Sequence, residues 1–325
     1  MKQNNSFRFA WLGFHFEGLP ALQRLVSENQ IPQAIITLTR ERMAKRSGGV
    51  DLEAFGIAHG IPVYHIENVN DDHVVELLKS LNLDVLFVIG WSQIVRSPAL
   101  STVRIGMIGA HASLLPHNRG SAPINWAIIK GESYTGNSLI WLADSVDAGD
   151  IIDQKSFKIS PYDTCETLYC EVAKSNAEMI SNVIPRLEKG EMPCIKQELT
   201  SEEILPRRRP SDGVVDWSGS ALQVYNFIRA LSRPYPGAFS YMDGKCLRIW
   251  RSSLLPGNPY SEAQAGSVIG PVFSPDEASC GLVVACRDGA ILIHEVEDEE
   301  GVVIYGRSVS ELDWVGRNWE NKKNE

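Results

Sequence analysis

Most of the common catalytic signatures are missing from this sequence. Its 325 residues include six cysteines, at 165, 170, 194, 246, 280 and 286. None forms a CxxC pair or stands at metal-ligand spacing from a histidine, which points to reduced thiols in a reducing compartment. There is no HExxH, no phosphate-binding P-loop and no GxGxxG, so zinc, ATP and dinucleotide chemistry lack support. Ser113 sits in no GxSxG elbow, so no activated serine is in view. No apolar run reaches the roughly 20 residues that span a bilayer. The N-terminal MKQNNS is polar and leads straight into a short apolar run, which reads as neither a signal peptide nor a membrane segment. The expected location is the cytoplasm, with no membrane partner. Positive charge is scarce as well: 31 Lys and Arg against 40 Asp and Glu leave a net charge of −9. That balance favours solubility and tilts away from a nucleic-acid partner, although it does not exclude a local basic patch.

What is present alternates. Residues 7–12 (FRFAWL) form an apolar run that ends at Gly13. A helical pattern covers 19–26, and residues 33–38 (QAIITL) form a β-branched run. Residues 52–59 read as a helix and 62–64 as a short strand. A helix over 72–81 is opened by an Asp cap. Residues 84–89 (DVLFVI) suit a strand buried on both faces. Residues 106–110 and 137–142 read as further strands, 122–129 and 166–187 as helices. This pattern predicts a doubly wound, mostly parallel α/β sheet, a Rossmann-like arrangement. Near Glu202 the texture changes. Arg207, Arg208 and Arg209 open a turn-rich segment read as a solvated boundary in preference to a ligand patch. A helix over 222–231 follows, then short β-like runs at 238–241, 246–250, 281–286 and 290–295. The expected organisation is a catalytic domain over 1–204 and a smaller β-rich, barrel-like domain over 205–325.

Two segments carry chemistry. One predicted buried strand ends at His111 and turns through Leu114-Leu115-Pro116 into a polar loop. Another ends before Asp144, Asp147 and Asp150. In open α/β sheets ligands gather at the carboxyl ends of strands. An imidazole there is suited to proton work, and a neighbouring carboxylate would orient it. The alternatives are a histidine that caps a strand end and an acidic turn that binds its own backbone. With no activated Ser or Cys nearby, the nucleophile is expected to come from a substrate.

HASLLPHNRGSAPINWAIIKGE (111–132) followed by DSVDAGDIIDQ (144–154) resembles the signature of the folate-dependent formyltransferases. FAWLGFHFEGLPALQRL, DVLFVIGWSQIV and the stretch from Asp212 to Trp250 are similar to further parts of that family, so the resemblance covers nearly the whole chain. It implies a Rossmann-like formyltransferase domain and an OB-like C-terminal domain, with 10-formyltetrahydrofolate as formyl donor and no metal. The family's catalytic His falls on His111 and its Asp on Asp147. Its Asn falls on Gly109, so a carboxamide is missing. Either glycine leaves room for a bulky acceptor or a water, or another asparagine reaches in. Asn118, just after the Leu-Leu-Pro turn, is preferred over Asn137, which is expected at the wrong end of the sheet. The resemblance further assigns pterin contacts to Gln93, Ile94 and Val95 and to Ala143, Asp144, Ser145 and Val146. It sets the acceptor near Gly13 and His15.

RSGGVDLEAFGIAHGIPVYHIENVND (46–71) is similar to the nucleotide-sugar N-formyltransferase branch, and lacks the basic insertion of the tRNA enzymes. The expected acceptor is therefore a small-molecule amine, an amino sugar on a nucleotide carrier. Methionyl-tRNA formylation, 10-formyltetrahydrofolate hydrolysis and a catalytically weak folate-binding relative remain as alternatives. A homodimer is left open.

Overall fold

A computed structural model of the chain describes residues 7–198, 200–257 and 262–322. The polar MKQNNS start lies outside the described residues. The chain divides into two compact units. One comprises the residues up to Pro123, Tyr134–Lys158 and Leu168–Pro206; the other comprises Ile124–Ser133, Ile159–Thr167 and the chain from Arg207 onward.

The first unit is built on a seven-stranded sheet. Its strands are β1 (Phe9–Leu12), β2 (Ile35–Leu38), β3 (Val63–Ile66), β4 (Val85–Val88), β5 (Gly106–His111), β6 (Tyr134–Trp141) and β7 (Ile151–Lys158), in the order β3-β2-β1-β4-β5-β6-β7. The first five run parallel, and β6 and β7 are antiparallel to their neighbours. FAWL, IITL and VLFV are buried along their whole length, because a parallel sheet covered on both faces needs continuous apolar strands. Strand β7 was not anticipated from sequence. Its IIDQKSFK lies at the sheet edge and only its first two residues are buried, so it shows no apolar run.

Helices α1 (Leu19–Ser27), α2 (Leu52–His59) and α3 (Asp72–Leu81) connect the parallel strands. The aspartate cap expected on α3 is found on α2 instead. Asp51 accepts the Ala54 N–H at 3.1 Å, whereas Asp71, at the start of α3, makes no capping bond. Helix α4 (Pro123–Lys130) falls largely in the second unit, and α5 (Cys165–Glu188) contributes its length from Leu168 to the first.

The second unit carries helix α6 (Ala221–Ala230) and strands β8 (Ala238–Met242), β9 (Lys245–Leu254), β10 (Val268–Val272), β11 (Gly281–Cys286), β12 (Gly289–Glu297) and β13 (Val303–Tyr305). These pair antiparallel in the order β10-β11-β12-β9-β8, with β13 on β12. The segment 316–320 hydrogen-bonds both to Val268, at the start of β10, and to Tyr241 on β8. It thereby joins the two edges in the barrel-like manner that protects edge strands. Ser220 and Gln223 form a capping box on α6, and Trp217, Ile228, Ile249, Val284 and Ile293 fill the core. Arg208 is not simply solvated. Its guanidinium lies 5.1 Å from the Trp126 ring and 5.5 Å from Phe227, and burial lowers its pKa.

None of the six cysteines is in a disulfide. Among the described residues no helix is long and apolar enough to cross a membrane, and no group of three His, Cys, Asp or Glu is placed to hold a metal ion.

Candidate active site

Strand β5 delivers His111 to the carboxyl end of the parallel sheet, paired with Ser138 of β6. The residue is 8% exposed. Its Nε2 lies 2.9 Å from the Asn118 carbonyl oxygen, and its Nδ1 lies 3.5 Å from Asp147 Oδ2. A carbonyl only accepts, so Nε2 carries the proton, and in the neutral ring Nδ1 faces the carboxylate bare. The same Oδ2 accepts the Gly120 N–H at 2.9 Å. The loop after β5 and the loop after β6 are thus tied together through one carboxylate. Asn118 (φ 55°) and Asp147 (φ 49°) are both left-handed, a conformation that Asn and Asp tolerate better than most residues.

The loop between His111 and Asn118 is braced from below. Ser138 Oγ donates to the Ser113 carbonyl at 2.6 Å and accepts from Leu115 N–H at 3.1 Å. Gln154 Nε2 donates to Ser138 Oγ at 2.8 Å and to the Leu115 carbonyl at 2.9 Å. Ser113 Oγ donates to the His117 carbonyl at 2.7 Å. Ser113 is therefore a loop brace.

Two expectations about the missing carboxamide change. Gly109 does not open a space: a Cβ built there would lie 2.5 Å from Leu142 Cδ2 and 3.3 Å from its Cγ. The volume beside the strand is filled by a leucine. Asn137 is also not at the wrong end of the sheet. It adjoins Ser138, the partner of His111, but alternate strand residues face opposite sides. Its carboxamide is buried against α5, donating to Ser175 Oγ at 2.9 Å and Asn176 Oδ1 at 2.6 Å. Asn118 stands beside His111, and its contact with the ring is made by its backbone carbonyl.

The remaining expected residues divide between exposed loop and brace. Ala143, Asp144 and Ser145 are exposed, and Val146 is half-buried. Gln93 braces the loop after β3, accepting Val69 N–H at 3.0 Å and donating to the Glu67 carbonyl at 2.7 Å. Ile94 is 53% exposed, and its carbonyl accepts from Asn70 at 2.9 Å. Val95 is buried in the core. Gly13 must be glycine because a Cβ would lie 2.3 Å from the Ile89 carbonyl oxygen. His15 is packed between rings, 4.5 Å from Phe16 and 5.6 Å from Tyr169 by ring centroids, with Nδ1 3.6 Å from Glu17 Oε2.

Sequence reading missed the segment after α5. Gln197 Nε2 donates to the Asp147 and Gly149 carbonyls. Glu202 accepts from the Asn118 N–H at 3.4 Å and pairs with His117 Nδ1 at 2.5 Å. Leu205 exchanges backbone bonds with Arg119 and Ser121. Gln197 lies 48 and 50 residues from its partners and Glu202 lies 84 and 85 from its own, and no local pattern announces them. Cys194 donates to Asp150 Oδ2 at 3.2 Å, and that carboxylate pushes the thiol pKa up.

Residues 21–184 match the family model described as formyl transferase, and residues 208–310 match the formyl transferase C-terminal domain. A methionyl-tRNA formyltransferase from Symbiobacterium thermophilum is 34% identical over 277 residues, covering 84% of this chain and 83% of that protein. HypX from Aquifex aeolicus, solved with tetrahydrofolic acid, superimposes with a TM-score of 0.64 at 18% identity over 92% of this chain, which spans 46% of HypX. An N-formyltransferase from Helicobacter canadensis, solved with folinic acid and dTDP-3-aminofucose, gives a TM-score of 0.63 at 17% identity, covering 89% of this chain and 99% of that one.

Proposed function

The chain belongs to the formyl transferase family, and from that premise we propose that it moves a formyl group from 10-formyltetrahydrofolate to the primary amine of a nucleotide-linked amino sugar, in the cytoplasm. The observation that carries the transfer chemistry is the His111–Asp147 pair at the carboxyl end of β5, whose carboxylate also accepts the Gly120 N–H. It stands beside no activated Ser or Cys, so the amine itself is the nucleophile.

The donor supplies an activated formyl carbon on N10. The exposed apolar Ile94 and the exposed residues 143–145 suit a flat, hydrogen-bonding pterin. Asp147 orients the His111 ring; its carboxylate takes up the proton released by the attacking amine and passes it to His111 Nδ1 as Nε2 gives up its own. His111 Nε2–H, which donates to the Asn118 carbonyl in the free protein, turns to the oxyanion that develops on the formyl oxygen. His111 then returns a proton to the leaving nitrogen. Such transfers contribute about 10²–10⁴ in rate. Further acceleration comes from holding two substrates together. Gly13 and His15 would border the acceptor.

Charge supports a small acceptor. Residues 207–325 contain 13 Lys and Arg against 16 Asp and Glu, a net of −3. A domain that grips a tRNA body needs a basic face. Methionyl-tRNA is the second reading, favoured by the 34% identity to a methionyl-tRNA formyltransferase. The test is a mass-spectrometric screen with 10-formyltetrahydrofolate as donor. Gain of one formyl group on an amino-sugar nucleotide supports the first reading, gain on charged initiator tRNA replaces it, and donor loss with neither product formylated points to hydrolysis.

A further inference from the structure

Asp147 has an unusual backbone for a residue that must aim a carboxylate. Its φ is 49°, a left-handed backbone that aspartate tolerates better than most residues but that still crowds its Cβ. The turn is also tight: a Cβ on Gly149 would fall 1.6 Å from the Trp141 carbonyl oxygen. Something must therefore hold this turn, and one side chain reaches it twice. Gln197, 7% exposed, donates from Nε2 to the Asp147 carbonyl at 3.1 Å and to the Gly149 carbonyl at 2.7 Å. Its own N–H reaches Asp150 Oδ1 at 3.3 Å. Two facing carbonyls fix which end of the amide carries nitrogen, since oxygen there would set three acceptors together.

We propose that Gln197 is a positioning residue for formyl transfer. It locks the backbone turn that sets the Asp147 carboxylate against His111 Nδ1 and the Gly120 N–H. The inference rests on the proposed catalytic role of His111 and Asp147. A carboxamide is required because both bonds are donated. Glutamate has the same shape and the opposite polarity, and leucine has similar bulk and no donor. The same segment reaches the partner loop, where Thr200 and Leu205 meet Arg119 and Glu202 meets Asn118. Gln197 and Leu205, at its two ends, are both buried.

The experiment compares Gln197→Glu, Gln197→Leu and Gln197→Asn in the full chain, alone and combined with Asp147→Asn. In the wild-type background, Glu and Leu are expected to lower kcat by about 10–10²-fold, the range of a misplaced catalytic group. KM for both substrates should stay within about threefold. Asn, one methylene short but still a donor, should retain more activity than either. In the Asp147→Asn background the Leu variant should add no further loss, because both changes remove one interaction. The ¹⁵N shifts of the His111 ring, recorded on whichever variants melt cooperatively, should move in Gln197→Leu toward those of Asp147→Asn. Wild-type kcat in Gln197→Leu, or an unchanged extra loss on top of Asp147→Asn, overturns the proposal while leaving the catalytic pair intact. Full turnover in Asp147→Asn overturns the catalytic pair itself, and this inference with it.

Discussion

Two histidines follow strands of the same sheet, and each has a carboxylate at nearly the same distance. His111 Nδ1 is 3.5 Å from Asp147 and His15 Nδ1 is 3.6 Å from Glu17. Their surroundings differ. His111 faces oxygen acceptors at both ring nitrogens, on two polar loops that are themselves cross-linked. His15 lies among aromatic rings with Gly48 beneath it; a Cβ there would lie 2.1 Å from the His15 Nε2. The backbone closes the same contact, with Phe16 N–H donating to Gly48 O and Val50 N–H to Phe14 O. A His–carboxylate distance alone therefore does not distinguish the proposed reaction centre from a packing unit. The partners of the second nitrogen do.

The sharpest separation is kinetic. His111→Ala and Asp147→Ala should each reduce kcat per folded molecule by at least about 10²-fold. His15→Ala should keep kcat within about tenfold and show any substrate role in the acceptor KM. It should also lower Tm, because a filled site is emptied. Steady-state kinetics and thermal melts on all three variants decide this. Equal kcat losses at positions 15 and 111 would remove the distinction.

Asn118 offers a finer cut through the His111 side. Its carbonyl meets the ring, and its left-handed backbone suits asparagine or glycine better than alanine. Asn118→Gly keeps the carbonyl and the turn, so it should hold kcat within a few fold. Asn118→Ala strains the turn and should lose about tenfold by misplacing the loop. If both variants instead lose about 10²-fold, the carboxamide is itself an oxyanion donor.

This contrast also marks what could be read in advance. The alternation of apolar runs and helical spacing fixed the parallel sheet, since buried strands such as DVLFVI reveal themselves by composition. The positions of His111 and Asp147 followed from strand ends and from the family motif. The supports of the site did not show. The side chains of Gln197 and Ser138 each bond two backbone groups and that of Gln154 bonds one, links that leave no periodic trace and that for Ser138 and Gln154 need the register of β6 and β7. Leu142 filling the space at Gly109 is likewise a packing outcome: the glycine was visible and its neighbour was not. A lone histidine after a strand likewise carries no sign of the glycine it covers, so the packing of His15 on Gly48 could not be read in advance.

Gly48→Ala breaks the packing side of the comparison. The backbone there has φ 71°, and the new methyl meets a histidine ring pinned by Phe16 and Tyr169. Strain and overpacking together are expected to cost about 1–3 kcal/mol, read as a Tm lower by several degrees. kcat per folded molecule should hardly change. A loss of kcat comparable to that of His111→Ala, with Tm unchanged, would mean that His15 is part of the reaction centre.

The smallest effect concerns a third histidine, which has two partners and no carboxylate. His294 on β12 is 4% exposed. Its Nδ1–H donates to the Cys280 carbonyl at 2.8 Å, and its Nε2 accepts from Ser253 Oγ at 2.7 Å. Burial lowers its pKa below the ordinary 6.5; the Cys280 carbonyl opposes the shift and the Arg251 charge assists it. The unfolded chain therefore binds a proton before the folded one does. Its contribution to stability is complete above pH 6.5 and declines as the pH falls from there toward the lowered folded value. Acidifying from pH 7.5 to 5.5 should thus lower the melting temperature of the second unit more in the wild type than in His294→Gln, which cannot be protonated in that window. Other titrating groups act equally in both proteins and cancel in the difference. Parallel Tm-versus-pH curves for the two would show that the neutral ring is not what the strand pairing relies on.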